Sequence, residues 1–235
     1  MLRINVLTLF PSMFLGPFDH SINARARNKR VVDIQIHDIR AFASDKHRTV
    51  DDAPYGGGPG MILMADPIVQ AVESIKSDES IPVILLSPQG RTYNQREAEK
   101  LSDSKEIILI CGHYEGVDNR IRDLVVTEEF SIGDYVLSGG EFAAMVLIDS
   151  IIRLLPGALG NAFGGLNDSH TTGLLQHPHY TRPAEYRGNN VPEVLLSGNH
   201  QAICRWRHLQ SLKATLMMRP DLIQRAILTT DDQGI

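Results

Sequence analysis

Ile107-Ile108-Leu109-Ile110-Cys111-Gly112-His113-Tyr114-Glu115-Gly116 is an apolar run that breaks abruptly into a glycine-bounded loop. A nearly continuous Ile/Leu run of this length reads as a strand buried on both faces. The same pattern lies on either side of it. Ile81–Leu86 leads into Ser87-Pro88-Gln89-Gly90-Arg91. Leu124–Glu128 leads into Ser131-Ile132-Gly133-Asp134-Tyr135-Val136-Leu137-Ser138-Gly139-Gly140-Glu141. Leu2–Leu9 and Val31–Ile36 read as two earlier strands. Between the strands, Phe18–Asn28, Ala65–Ser77 and Gln95–Leu101 read as helices, the second starting with Asp66 at N-cap and Pro67 at N1. Such alternation predicts an α/β domain: a mainly parallel sheet with helices on both faces.

The chain has 235 residues, 43% of them hydrophobic and 22% charged, which suits one main domain with a small appendage and excludes disorder. No apolar run reaches the roughly 18–20 residues of a membrane span. Met1–Val6 lacks the basic region and long apolar stretch of a secretory signal. Cys111 and Cys204 are too few for a disulfide framework or a cysteine zinc site. The expectation is a soluble cytoplasmic protein.

Phe142–Leu155 is the most apolar helix candidate, charged only at Asp149 and Arg153, so it should be buried on several sides, in the core or at a subunit interface. Pro156-Gly157 ends it, and Gly157–Gly173 reads as a loop or linker. A second region follows. Its helix, about Gln201–Met218, carries Ile203, Trp206, Leu209, Leu212 and Leu216 as an apolar stripe. The expected organisation is a first domain over 1–159, a linker over 160–173 and a small helical domain over 174–235.

Three strands each running into a glycine loop suggest one pocket, because open α/β sheets bind ligands beyond the carboxyl ends of their strands. Glycine lets backbone amides and carbonyls approach a ligand closely. Neither a G-x-G-x-x-G after a strand nor a G-x-x-x-x-G-K-[ST] is present, which argues against dinucleotide dehydrogenases and P-loop NTPases. A fourth cluster, Pro54-Tyr55-Gly56-Gly57-Gly58-Pro59-Gly60, is incompatible with helix or central strand and must be an exposed loop.

On these residues the chain resembles the bacterial tRNA (guanine-N1)-methyltransferase family, TrmD. The resemblance runs through Val50-Asp51-Asp52, Pro54–Met61, Leu86–Arg91, Cys111–Gly116 and Ser131–Glu141. It continues through Pro178-His179-Tyr180-Thr181-Arg182-Pro183, Val194–His200 and Trp206-Arg207, and begins at Thr8-Leu9-Phe10-Pro11. It implies methyl transfer from S-adenosylmethionine to N1 of the guanosine immediately 3′ of the tRNA anticodon, which limits frameshifting. It also implies a trefoil knot at the C-terminal strands, and a homodimer with sites shared between chains. Residue by residue, it implies Asp168 as the base that takes the N1 proton and Arg153 as the cation that stabilises charge on O6. It implies a cofactor site lined by Leu86, Pro88, Gly112, Tyr114, Glu115, Ser131, Ile132, Gly133, Tyr135, Leu137, Gly139 and Gly140. Gly57, Gly58 and Pro59 would cradle the target base. Any Mg²⁺ would be loosely held by cofactor or RNA oxygens, with no protein metal cluster.

The residues alone leave plainer alternatives. Asp168 in its loop reads as a turn former or helix N-cap. Asp149 and Arg153 are spaced as an i,i+4 ion pair. His177-Pro178-His179 lacks two further ligands for zinc. His113 and His170 read as ordinary polar loop residues. Four positions depart from the commoner family pattern: His113 for Arg, Leu85 for Tyr, His170 for Phe and Gln176 for an acidic residue. Two other functions remain open, a knotted RNA methyltransferase acting on a different base and a non-catalytic RNA-binding module.

A net charge of −5 argues at first sight against nucleic acid. Its distribution reverses this. Residues 1–169 hold 16 Lys+Arg and 23 Asp+Glu, and residues 170–235 hold 7 and 5. With Arg25, Arg27, Lys29 and Arg30 near the start and Arg182, Arg187, Arg205, Arg207 and Lys213 in the basic C-terminal part, a distributed surface for tRNA is expected. DNA and membranes are not expected partners.

Overall fold

Five strands of near-continuous apolar sequence hydrogen-bond into one sheet: β1 (Leu2–Thr8), β2 (Val32–Asp38), β5 (Val83–Thr92), β6 (Glu106–Cys111) and β7 (Glu128–Ser131). Two minor strands, β3 (Asp51–Asp52) and β4 (Ile62–Leu63), pair only with each other, antiparallel. The structure is a computed structural model and describes residues 1–159, 168–224 and 226. The sheet order is β2-β1-β6-β5-β7, and every neighbouring pair is parallel. Parallel strands are joined by crossovers. The helices α1 (Ser21–Asn28), α2 (Ala65–Ile75), α3 (Gln95–Ser102) and α4 (Arg120–Leu124) lie on those connections, and α5 (Glu141–Ile152) follows β7.

Alternation along each strand divides the core in two. Ile107, Leu109 and Cys111 of β6 pack in one cluster with Ala143, Ala144, Leu147, Ile148 and Ile151 of α5. Ile108 and Ile110 pack in the other with Ile68, Ala71 and Val72 of α2 and Ile121 of α4. All five β6 residues named are fully buried. Burial on both faces is why this strand shows no polar alternation.

Several sequence expectations need correction. The strand expected at Leu124–Glu128 lies at Glu128–Ser131, and Leu124 ends α4. Two glutamates disguise β7. Glu128 meets Arg91 at 2.6 Å and Glu129 meets Arg122 at 2.8 Å, so the acidic edge is neutralised by residues outside the strand. Arg91 also sits 4.4 Å over the Phe130 ring. The Ser87–Gly90 stretch is a bulge inside β5, since Leu86 and Arg91 both pair with Phe130. In α2 the N-cap is Met64, with Asp66 and Pro67 inside the first turn, where a missing N–H costs nothing. α3 is capped by Asn94, whose side chain accepts from the amides of Arg96 and Glu97.

The chain divides into two compact units, Met1–Ala162 and Phe163–Ile235. Residues 160–167, in the expected linker, lie outside the described residues. The second unit contains the antiparallel pair β8 (Glu185–Tyr186) and β9 (Asn189–Asn190), then α6 (Glu193–Leu196), α7 (His200–Met218) and α8 (Pro220–Ile223). Of the expected α7 stripe, Leu212 is buried but Leu216 is 59% exposed. Thr215 takes the inward position instead. Its hydroxyl donates to the Ser211 carbonyl at 2.7 Å and accepts the Leu175 amide at 2.9 Å, which pins the entering chain to the helix.

A polar ladder crosses three strands. His37 Nε2 donates to Asn5 Oδ1 at 3.0 Å, and Asn5 Nδ2 donates to Glu106 Oε1 at 2.7 Å. Burial holds the His37 imidazole below its ordinary pKa of 6.5. The folded protein therefore binds fewer protons here than the unfolded chain, and this contribution is present above pH 6.5 and lost as pH falls below it. In urea titrations between about pH 5 and pH 8, wild type should lose stability on acidification through this window. His37→Gln should lack that component.

Candidate active site

Because β6, β5 and β7 are neighbours in the sheet, their carboxyl ends place three loops side by side. They line a cleft of about 1100 Å³ together with Asp52–Tyr55 and Ile62–Asp66. All twelve residues that the family resemblance marks for the cofactor line this one cleft. Gly57, Gly58 and Pro59 are exposed and belong to the loop above it, outside the lining.

The loops are locked together through backbone. The Gly140 amide donates to the Gly112 carbonyl at 2.8 Å, and His113 forms an antiparallel bridge with Gly139. A Cβ on Gly140 would stand 2.7 Å from Cys111 Cα and 2.9 Å from the Gly112 nitrogen. Gly140 has ordinary helical dihedrals, so the requirement for glycine is close approach. A Cβ on Gly112 would lie 3.3 Å from the Leu86 carbonyl oxygen. The cleft floor is thus backbone from three strands held at contact distance.

The glycine-rich loop is fixed from below. The Glu115 amide donates to the Met61 carbonyl at 3.0 Å, the Leu63 amide to Gly116 at 3.0 Å and the Asp118 amide to Leu63 at 2.9 Å. A Cβ on Gly60 would strike the Glu115 side chain at 2.5 Å. Tyr114, between the two systems, holds φ at 60°, a left-handed conformation that costs a non-glycine residue about 1–2 kcal/mol. Such outliers cluster at ligand sites.

The electrostatics are set by carboxylates. Glu141 is 2% exposed in the first turn of α5, where the helix N-terminus favours negative charge. Its Oε1 accepts the Thr8 hydroxyl at 2.7 Å. Burial, and then the charge of Glu141, push the Cys111 thiol well above its ordinary pKa. This cysteine is an inert core residue. At the other rim, the Arg120 guanidinium bonded to Asp118 holds that carboxyl below the usual range.

Sequence reasoning missed several lining groups, Asp52, Asp118, Arg120 and Arg122, and read His113, which also lines the cleft, as an ordinary polar loop residue. The β4 contact with Val117 brings the 52–66 segment to the cleft, and such an isolated bridge has no local signature. Among the described residues no cluster of three His, Cys, Asp or Glu could hold a metal. None of their helices is long and apolar enough to cross a membrane.

The match to known proteins is extensive. The family model for tRNA (Guanine-1)-methyltransferase TrmD covers residues 2–225. The chain belongs to the tRNA (guanine-1)-methyltransferase family. A tRNA (guanine-N(1)-)-methyltransferase of Anoxybacillus flavithermus is 56% identical over 97% of this chain and 94% of that protein. One of Dehalococcoides mccartyi is 54% identical over 100% and 95%, and one of Geobacter metallireducens 50% over 99% and 95%.

In this tRNA methyltransferase family member, the two residues marked for chemistry are carried by different units of the chain. Arg153 is the C-cap of α5 and does not line the cleft. The twelve-residue helix separates it from Gly140 by about 18 Å. Asp168 belongs to the second unit. It opens a turn in which the Thr171 amide donates to the Asp168 carbonyl at 3.3 Å. The Gln176 amide donates to the Ser169 hydroxyl at 3.0 Å and the His170 amide to Leu174 at 2.8 Å.

Proposed function

We propose that this tRNA (guanine-1)-methyltransferase methylates N1 of the guanosine immediately 3′ of the anticodon, limiting frameshifting, in sites each assembled from two copies of the chain. The protein is an S-adenosylmethionine-dependent enzyme of tRNA modification. The cofactor supplies an electrophilic methyl group on a sulfonium. The backbone-lined cleft fits such a ligand, because Gly112, Gly139 and Gly140 let the three loops close on one another at contact distance and leave their side of the cleft without bulky side chains. Tyr114 and Leu137 add apolar surface.

The guanine N1–H is weakly acidic and must lose its proton as the N–C bond forms. Asp168 accepts that proton at its carboxylate, a role that typically contributes about 10²–10⁴-fold. Arg153 faces O6, where negative charge gathers as the proton leaves, and stabilises it. The Gly57–Pro59 segment holds the base, and Mg²⁺ is bound loosely through RNA or cofactor oxygens. Residues 174–235 carry the tRNA contacts and the 160–173 linker joins them to the catalytic domain over 1–159. The reading includes the family's trefoil knot and a cytoplasmic location, where tRNA is found.

The position of Arg153 carries the shared-site reading. An arginine about 18 Å along α5 from the cofactor loops serves a cleft other than that of its own chain. The outer face of α5 supports a second copy. Phe142 is 53% and Val146 47% exposed, one turn apart on an apolar helix. Complementation tests this. Arg153→Ala and Gly140→Ala proteins should each be inactive. After subunit exchange, a mixed dimer has one site with both groups intact, and methyl transfer should return. Mixed dimers isolated through two affinity tags and still inactive would refute the shared site. Product mapping to N1 of guanosine tests the target.

A further inference from the structure

We infer that His113 and Glu141 form a positioning pair that holds the cofactor loops together from within the cleft wall. This rests on reading the cleft as the S-adenosylmethionine site. It assigns a function to two side chains for which the chemistry above has no use.

The two groups converge on one backbone point. The ideal Cβ position of Gly139 lies 2.5 Å from His113 Nδ1 and also against Glu141 Oε2. The glycine is therefore clasped between an imidazole nitrogen and a carboxylate oxygen. Both atoms lie against the same point, so they are at most about 5 Å apart, and side-chain rotation can bring them to hydrogen-bond distance.

Each lacks what the other offers. His113 Nδ1 is a buried polar atom with no hydrogen-bond partner. An unmet buried donor costs about 1–3 kcal/mol, so it calls for an acceptor. Glu141 is a buried carboxylate whose Oε1 accepts from Thr8. A buried charge needs more than one hydroxyl to offset its desolvation. A proton on Nδ1 directed at Oε2 satisfies both. Rings on either side restrain the imidazole, with Phe10 5.0 Å and Tyr114 4.8 Å away, both edge-on.

The consequence falls on the cleft. His113 bridges Gly139 through backbone, and Gly140 is bonded to Gly112. Glu141 opens α5, and its Thr8 bond anchors that helix start to the end of β1. Closing the Nδ1–Oε2 contact fixes the 112–116 loop to the 139–141 turn by side chains as well as backbone. Both segments line the cleft. His113 acts through Glu141 and is a positioning residue.

The test uses three substitutions of His113 and one of Glu141. Asn places an N–H near the position of Nδ1, Gln places one farther out, and Ala supplies none. H113A and H113Q should weaken S-adenosylhomocysteine binding about tenfold or more by calorimetry, the scale of a hydrogen bond to a charged group. H113N should recover most of that loss. In steady state, H113A should raise KM for S-adenosylmethionine, with kcat at saturating cofactor and KM for tRNA little changed. E141Q should weaken binding alone, and H113A/E141Q should be no weaker than the weaker single variant. If E141Q does not fold, the His113 series decides. Cofactor binding in H113A equal to wild type, or H113N no better than H113A, would overturn the pair. Wild type that binds neither S-adenosylmethionine nor S-adenosylhomocysteine would instead overturn the reading of the cleft.

Discussion

Asp168→Asn should abolish methyl transfer while changing S-adenosylmethionine affinity by less than about twofold. The substitution keeps the shape of the side chain and removes its capacity to take a proton, so the loss should be about 10²–10⁴-fold. The turn that carries Asp168 closes through backbone. The Thr171 amide bonds the Asp168 carbonyl and the His170 amide bonds Leu174, and asparagine leaves these backbone bonds in place. The cofactor loops lie in the other unit of the chain. Single-turnover transfer of a labelled methyl group to tRNA, with calorimetric titration of the cofactor, separates the two quantities. Appreciable turnover in the variant would remove Asp168 from the mechanism.

Gly140→Ala should be the most damaging one-carbon change in the cleft. The added Cβ would meet Cys111 Cα at 2.7 Å and the Gly112 nitrogen at 2.9 Å. Neither can move cheaply, because Cys111 ends a central strand and is fully buried. The turn must lift away, breaking the 2.8 Å bond from Gly140 to Gly112 and the His113–Gly139 bridge. Overpacking of this kind costs about 1–3 kcal/mol of stability. Separating two of the three loops should weaken cofactor binding about a hundredfold, roughly 2.7 kcal/mol. Gly16→Ala is the control. It has φ of 95° with nothing within 4 Å, so it should lose about 1 kcal/mol through backbone strain and keep cofactor affinity. A Gly140→Ala protein that binds cofactor like Gly16→Ala would show that close packing at Gly140 is dispensable.

How much of this was legible in the sequence differs from element to element. β6 was plain, because a strand buried on both faces writes its environment into every position. β7 was displaced by several residues. Its Glu128 and Glu129 are tolerated only because Arg91 and Arg122 arrive from outside the strand, 37 and 7 residues away, and no strand pattern reports either partner. The Ser87–Gly90 bulge was hidden for a similar reason, since its register depends on Phe130 in another strand. In α7, Thr215 was overlooked because a hydroxyl counts as polar until its two backbone partners are known.

Sequence alone determined the fold class, the glycine loops and the family, since each is carried by contiguous residues whose chemistry is local. It also identified twelve lining residues that fall in one cleft. Tertiary structure decided what those loops do to one another. Strand order put the ends of β5, β6 and β7 together, and backbone contact at Gly140 joined them. It showed that Arg153 stands a helix length from the cleft of its own chain. It also turned His113 from an ordinary loop residue into one that meets Glu141 at Gly139. Distances between residues far apart in the chain follow from packing, and packing is settled only when the whole sheet and its helices are in place.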